Sequence, residues 1–168
     1  MGYSTYFEGK FNFNKPLSFE DNLFLYKLAN SRRMARNVDA KYGVEGEFYV
    51  DGGGFKGQAQ EKNIIDYNRA PRTQPNLWCQ WVPDDGGKTL VHDGCEKFHD
   101  YVDWLKYIIE WIKPRGYVLN GTVEWQGEET DDRGKILVVD NVVRTQRGRW
   151  VWTESDKQSD SDVMNYIG

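Results

Sequence analysis

The sequence has little cysteine and no long apolar run, and each lack argues against a class of protein. Its two cysteines, Cys79 and Cys95, form no C-x-x-C motif and no cluster with histidine. A structural zinc site is therefore not expected. No apolar stretch approaches the ~20 residues that a membrane helix needs. We expect a reduced cytoplasmic protein with two buried thiols and no membrane partner.

The sequence also lacks a strong charge of either sign. A net charge of −4 is too small for a basic nucleic-acid binder and too small for an acidic DNA mimic, so direct DNA binding is not expected. The N-terminus has no basic segment followed by an apolar core, as a signal peptide would. Aromatic residues are abundant, with seven Trp and ten Tyr, which indicates that large rigid side chains dominate packing or binding.

Hydrophobic periodicity predicts the element order β-α-β, a long loop, then β-β-α-β-β. The first helix begins after a capping box at Ser18 and runs to about Met34, where Arg32, Arg33 and Arg36 face the negative end of its dipole. The second helix spans about Glu96–Lys113. Strands are predicted in TYFEGKFNFN, Glu47–Val50, Leu77–Val82, TLVH, YVLNGTVEWQGEE, KILVV and DNVVRTQRGRW.

This order predicts an α+β fold, in which two main helices pack on one face of an antiparallel sheet. A ferredoxin-like arrangement and an irregular α+β sandwich are the two alternatives. We expect one domain over residues 1–150, followed by a polar, flexible tail over residues 151–168.

The strand that begins at Tyr117 has one apolar face and one polar face. Its polar row consists of Asn120, Thr122, Glu124 and Gln126, with amide, hydroxyl and carboxylate groups at alternate positions. Such a row faces either water or a ligand, for which these groups donate and accept hydrogen bonds. We predict that the row contacts a ligand.

Three basic residues and two tryptophans complete the predicted ligand site. The glycine loop at residues 52–54 lacks the Gly-Lys-Ser/Thr ending of a P-loop, and it favours a backbone turn over a phosphate cradle. Lys56 still joins Arg69 and Arg72 as a candidate basic rim for an anion. Trp78 and Trp81, on opposite faces of their strand, are candidates for stacking on a base.

The second helix has a second apolar face, formed by Trp104, Tyr107 and Trp111. It lies about a third of a turn from the aliphatic stripe. Packing within the chain, a subunit contact that makes a homo-oligomer and a ligand contact are the alternatives. We include this face as a candidate interface.

Catalytic motifs are missing, and no cofactor or metal is expected. His92 precedes Asp93, so that the pair is either a general base or, more simply, a turn at the surface. The acids Glu128, Glu129, Asp131 and Asp132 do not have calcium-loop spacing and predict a solvated turn. Nothing in the sequence argues for an enzyme.

The segments GYVLNGTVEWQGEE, DYNRAPRTQPNLWCQWVP and KFHDYVDWLKYIIEWIKPRGYVLNG resemble a family of small, uncharacterised proteins from bacteriophages and prophages. The resemblance covers roughly Gly2 to Val143. It implies a phage-encoded accessory protein that acts in the cytoplasm of the bacterial host, and it supplies no catalytic residues.

Three functions follow as hypotheses. The first is a counter-defence binding protein that captures a small nucleotide-like ligand without catalysis. The second is a protein-interaction module that inhibits a host defence protein. The third is a small hydrolase that uses Glu124 and a second carboxylate.

Overall fold

A computed structural model describes residues 3–50, 61–154 and 164–167. Its two helices are α1 (Phe19–Ala29) and α2 (Tyr101–Ile112). Its strands are β1 (Thr5–Phe13), β2 (Ala35–Arg36), β3 (Ile64–Asp66), β4 (Trp81–Asp84), β5 (Thr89–His92), β6 (Leu119–Gly127), β7 (Arg133–Val139), β8 (Val142–Arg147), β9 (Arg149–Trp152) and β10 (Met164–Ile167). Short 3-10 turns occupy Ala40–Tyr42, Val44–Gly46, Asp85–Gly87 and Lys113–Arg115.

Six strands form one antiparallel sheet in the order β4-β5-β1-β6-β7-β8. The long strands β1 and β6 lie at its centre and pair along their whole length, from Thr5 opposite Gly127 to Phe13 opposite Leu119. Two-stranded ribbons, β2 with β3 and β9 with β10, lie outside this sheet. The predicted α+β class with an antiparallel sheet is confirmed, whereas the ferredoxin-like arrangement is not.

The two faces of the central strands differ in burial. One face, called the core face here, carries apolar residues that are almost fully buried, among them Phe11, Val123 and Ile136. Buried side chains of both helices, such as Leu25 and Leu105, belong to the same core cluster. The opposite face, called the outer face, carries the alternate polar residues. The polar row predicted on β6 therefore lies on the outer face.

Helix α1 begins as predicted but ends earlier. The Ser18 hydroxyl accepts a hydrogen bond from the Asp21 backbone N–H at 3.1 Å, which confirms the predicted cap. The helix ends at Ala29, because Asn30 leaves the helical conformation with φ −103° and ψ 17°, and its side-chain amide caps the Tyr26 carbonyl at 2.8 Å. The prediction that the helix extends to about Met34 was wrong.

Arg33 lies beyond α1 and is buried, not at a helix end in solvent. Its guanidinium donates to the backbone carbonyls of Glu47 and Tyr49 at 2.9 Å, and to the Gln74 side chain at 3.2 Å. Burial lowers the pKa of Arg33 to about 10. These bonds use carbonyls that a strand would pair. The predicted strand Glu47–Val50 is wrong, because this segment is a turn.

Helix α2 begins at Tyr101, about five residues later than predicted. Lys97 and Asp100 have φ values of 60° and 57°, a left-handed conformation that interrupts a right-handed helix. The predicted strand Leu77–Val82 is also shifted, since pairing begins at Trp81. The turn between β4 and β5 is a hairpin, as predicted.

Cys79 is fully buried, as predicted, but Cys95 is exposed. The predicted tail, residues 151–168, lies partly outside the described residues, as does the glycine loop at residues 52–54. Within the tail, Met164–Ile167 pairs with Arg149–Trp152. Neither helix in the described ranges is long and apolar enough to span a bilayer.

Candidate functional site

A groove of about 610 Å³ crosses three neighbouring strands of the sheet, β1, β6 and β7. It brings together residues that are far apart in sequence, because β6 pairs with β1 on one side and with β7 on the other. Its lining consists of Tyr6, Phe7, Glu8, Glu124, Trp125, Gln126, Arg133, Gly134, Lys135 and Gly148. Two of the predicted ligand residues, Glu124 and Gln126, are among them.

Two cross-strand rows of side chains line the outer face in this groove. Tyr6, Gln126 and Arg133 are opposite one another in the first row. Glu8, Glu124 and Lys135 form the second row. Opposite residues on antiparallel strands have Cβ atoms about 4.5–5.5 Å apart, so the side chains within a row are neighbours.

Gln126 is committed to hydrogen bonds within the protein. Its Oε1 accepts from Arg133 Nε at 2.9 Å, and also from Arg133 Nη2. Its Nε2 donates to the carbonyls of Gly127 and Glu129, both at 3.0 Å. Gln126 therefore positions Arg133 at one end of the groove, and its amide is not free to read a ligand.

Glu8 and Glu124 are direct cross-strand partners, and both are exposed. Like charges directly opposite each other on a sheet destabilise it. Lys135 is opposite Glu124 on the other side. Among residues 3–50, 61–154 and 164–167, these three side chains form no hydrogen bond or ion pair. The groove thus presents two carboxylates and one ammonium that are available to a ligand.

Tyr6 and Gly134 shape the groove. The Tyr6 side chain is 62% exposed, which leaves its ring open to a planar group. Gly134 has no side chain where the Trp125 ring and the Gln146 carbonyl approach it closely. The Trp125 indole N–H lies 3.4 Å from Asp132 Oδ1, so the ring is tied to the turn between β6 and β7.

The other two residues of the predicted row lie outside the groove. Asn120 is bound to the β7–β8 turn, since its Oδ1 accepts from the Asp140 backbone N–H at 2.8 Å. Thr122 is exposed opposite Lys10. The four residues of the predicted row therefore lie on one face of the sheet, but only Glu124 and Gln126 line the groove.

Arg69 and Arg72 of the predicted basic rim do not line this groove. Arg69 makes two 3.0 Å bonds to the Glu45 carboxylate, and Arg72 lies 3.6 Å from the same carboxylate. The bonds from Arg69, together with the Arg72 backbone N–H, lower the pKa of Glu45 to about 2. Lys56 lies outside the described residues. The bases at the groove are Arg133 and Lys135 instead.

The two candidate stacking tryptophans are placed elsewhere as well. Trp81 is fully buried, and its indole N–H donates to the Tyr101 carbonyl at 2.9 Å. Trp78 is half-buried and does not line the groove. Trp81 is thus a core residue that joins β4 to α2.

The predicted aromatic interface on α2 packs largely within the chain. Trp104 is fully buried and meets Tyr107 edge to face, with ring centroids 5.5 Å apart. The Tyr107 hydroxyl accepts a bond from Gln74, and burial raises the pKa of Tyr107 to about 12. Trp111 stacks on Phe24 of α1. Of the alternatives for this face, the structure supports packing within the chain.

His92 is packed, not poised as a general base. Its ring stacks on Phe98 with centroids 5.6 Å apart, and its Nε2 lies 2.9 Å from Gln80 Oε1. Burial lowers the pKa of His92 below its ordinary value. No three His, Cys, Asp or Glu residues gather as a metal site in the described part of the chain.

Sequence reasoning missed Tyr6, Glu8, Arg133 and Lys135. The alternation of polar and apolar residues in TYFEGKF was visible, but the alternation alone does not say which strand lies alongside. The register of β1 and β7 against β6 places these residues beside Glu124, and register is a property of the folded sheet.

The chain matches no protein-family model, no curated protein and no solved structure.

Proposed function

We propose that this chain is a binding protein that captures a small nucleotide-like ligand in the groove between β1, β6 and β7 and releases it unchanged. The observation that carries the proposal is the groove itself, at about 610 Å³, whose lining includes Glu8, Glu124 and Lys135, none of them paired with another described residue. Pockets for small ligands typically have volumes of about 300–1,000 Å³ and a few convergent polar groups.

Each part of a nucleotide has a counterpart in the lining. The exposed Tyr6 ring offers a stacking surface for a base. Lys135 and Arg133 offer positive charge for a phosphate. The carboxylates of Glu8 and Glu124 accept hydrogen bonds from base or ribose donors. Arg133 and Lys135 take the role that the sequence assigned to Arg69 and Arg72.

The biological setting is part of the same proposal. A phage-encoded protein that sequesters a nucleotide signal in the bacterial cytoplasm would counter host defence by lowering the concentration of the free signal. The irregular α+β sandwich is the alternative that fits this fold better, because the strand order β4-β5-β1-β6-β7-β8 ends in a meander of three strands, β6, β7 and β8.

The test is uptake and release of intact ligand. The purified protein is incubated with a panel of linear and cyclic nucleotides, separated from free ligand, heated, and the released material is chromatographed. We expect one nucleotide class to be recovered unaltered. Glu124→Ala should abolish uptake with nearly unchanged melting temperature, whereas Lys10→Ala, on the same outer face but outside the groove, should keep it. No uptake of any nucleotide would contradict the proposal.

The hydrolase hypothesis also gains one observation, because β1 supplies the second acid that it requires. Glu8 lies directly opposite Glu124, so two carboxylates share one groove. Paired carboxylates on a scissile bond act as general acid and base. The same chromatogram separates the two functions, since a hydrolase would release a shortened or dephosphorylated product. Glu8→Gln would then stop turnover but leave uptake in place.

A further inference from the structure

The two carboxylates on the β1 and β6 side of the groove have no partner in the described structure, whereas the ammonium of Lys135 lies on β7. The Gln126 amide is used by Arg133 and by two backbone carbonyls, and the Asn120 amide is bound at the β7–β8 turn. Glu8 and Glu124 remain without partners in the described structure. An ionised carboxylate only accepts hydrogen bonds. A base edge that enters between Glu8 and Glu124 therefore meets carboxylate oxygens, while the Lys135 ammonium lies on the far side of Glu124, on β7.

Nucleobases differ in how they match an edge of acceptors. Guanine presents two neighbouring donors, N1–H and the 2-amino group, which one carboxylate can bind together. Adenine and cytosine place a ring-nitrogen acceptor beside their amino group, and uracil places its N3–H between two carbonyls. Each of these acceptors would face a carboxylate without a proton between them, and an unpaired polar contact of this kind costs binding energy.

We propose that the groove selects guanine, with the N1–H and 2-amino edge on Glu8 and Glu124. This inference rests on the proposed nucleotide capture and names the base that the groove would take. Without such a donor edge, the two opposed carboxylates repel each other. A ligand that supplies donors to both relieves this repulsion, so the pair favours the bound state.

The positions of the charged side chains also predict the orientation of the bound ligand. Carboxylates lie on β1 and β6, and the bases Arg133 and Lys135 lie on β7. Two interstrand spacings separate β1 from β7, about 10 Å in all. A mononucleotide laid across the strands therefore places its base over β1 and β6 and its phosphate at β7.

Equilibrium dialysis of the full chain against the 5′-monophosphates of guanosine, inosine, adenosine and uridine tests the selection. Inosine differs from guanosine only by the missing 2-amino group. We expect GMP to bind tightest and IMP at least ~10-fold weaker, as is usual for loss of one hydrogen bond to a charged acceptor. AMP and UMP should bind more weakly still.

Conservative variants separate base reading from phosphate binding. Glu8→Gln and Glu124→Gln should each reduce the ratio of GMP to AMP affinity, since glutamine both donates and accepts. Lys135→Gln should weaken GMP but leave guanosine, which has no phosphate, unchanged. Lys10→Gln is the matched control, because Lys10 is a charged outer-face residue of β1 outside the lining. It should change neither the ratio of GMP to AMP affinity nor the affinity for GMP.

The outcomes are distinct for the two proposals. Binding of GMP and AMP with equal affinity, or an unchanged ratio in both glutamate variants, would overturn guanine selection while leaving nucleotide capture intact. Failure of every mononucleotide and of guanosine to bind would overturn both.

Discussion

Phe24 of α1 and Trp111 of α2 stack face to face, with ring centroids 4.8 Å apart and planes inclined by 11°. Arg115 covers Trp111, its guanidinium carbon 3.7 Å from the indole centroid. The two helices are thus joined at the surface by a layered contact of two rings and a cation, in addition to their shared core. This contact explains the aromatic residue at Trp111, which lies outside the main core face of α2.

The stack should contribute measurably to stability. We expect Phe24→Ala and Trp111→Ala each to lower the free energy of unfolding by about 2 kcal/mol, less than for a fully buried ring, because both rings are only half-buried. The double variant should lose about 0.5–1.5 kcal/mol less than the sum, which is the coupling of a stacked pair. Urea unfolding of the four proteins measures this. Phe19→Ala, at a ring that is 80% exposed, is the control. Full additivity would show that the rings do not interact.

Arg33 should be needed for folding of the segment that follows α1. Arg33→Met removes a donor from the part-buried carbonyls of Tyr49 and Glu47, of which the Glu47 carbonyl keeps only its bond from Gln74. We expect a loss of about 3–5 kcal/mol, measured as a fall in the urea midpoint. Arg144→Met, at an exposed position on β8, should change stability by less than about 0.5 kcal/mol. Equal effects of the two substitutions would contradict the structural role of Arg33.

Glu45 should make stability depend on pH in acid. Its pKa is lowered from 4.5 to about 2 in the folded protein, chiefly by hydrogen bonds from Arg69. A carboxyl group with a depressed folded pKa stabilises the protein above its unfolded pKa, and this contribution is lost as pH falls through the folded value. Melting temperatures between pH 4.5 and pH 2 should therefore fall less in Glu45→Gln than in the wild type. Glu110→Gln, at an exposed acid on α2, should follow the wild-type curve.

The sequence allowed prediction of elements whose signal is local. The cap at Ser18, the hairpin between β4 and β5, and the alternating strands β1 and β6 all depend on neighbouring residues, and all were found. The errors occur where a contact with a residue distant in sequence determines the local structure. The sequence of Glu47–Val50 is typical of a strand, but the Arg33 guanidinium binds two of its carbonyls. No residue near position 47 in the sequence indicates that contact.

The candidate site was predictable only in part for the same reason. Glu124 was recognisable because it shares the polar face of its strand with the amide and hydroxyl side chains of Asn120, Thr122 and Gln126. Glu8 and Lys135 carry no such mark, and they become site residues only through pairing with Glu124. Asn120 and Arg69 looked equally suitable, but Asp140 and Glu45 occupy their hydrogen-bonding groups. Sequence patterns give the face of a residue, whereas pairing decides whether its polar groups are free.

Gly134 offers a test of how the groove is built. A Cβ at this position would overlap both the Trp125 ring and the Gln146 carbonyl, of which the carbonyl belongs to β8 and cannot move alone. We expect Gly134→Ala to cost about 1–3 kcal/mol of stability through overpacking and to weaken ligand uptake, because Trp125 lines the groove. Gly148→Ala is the control for stability, since the closest atom that its Cβ would meet is the Arg133 Cγ, at 3.0 Å, on a flexible side chain. Thermal melts of both variants and the uptake assay on Gly134→Ala measure the two effects. If Gly134→Ala left both stability and uptake unchanged, the close contact of Trp125 with Gly134 of β7 would not be present in solution.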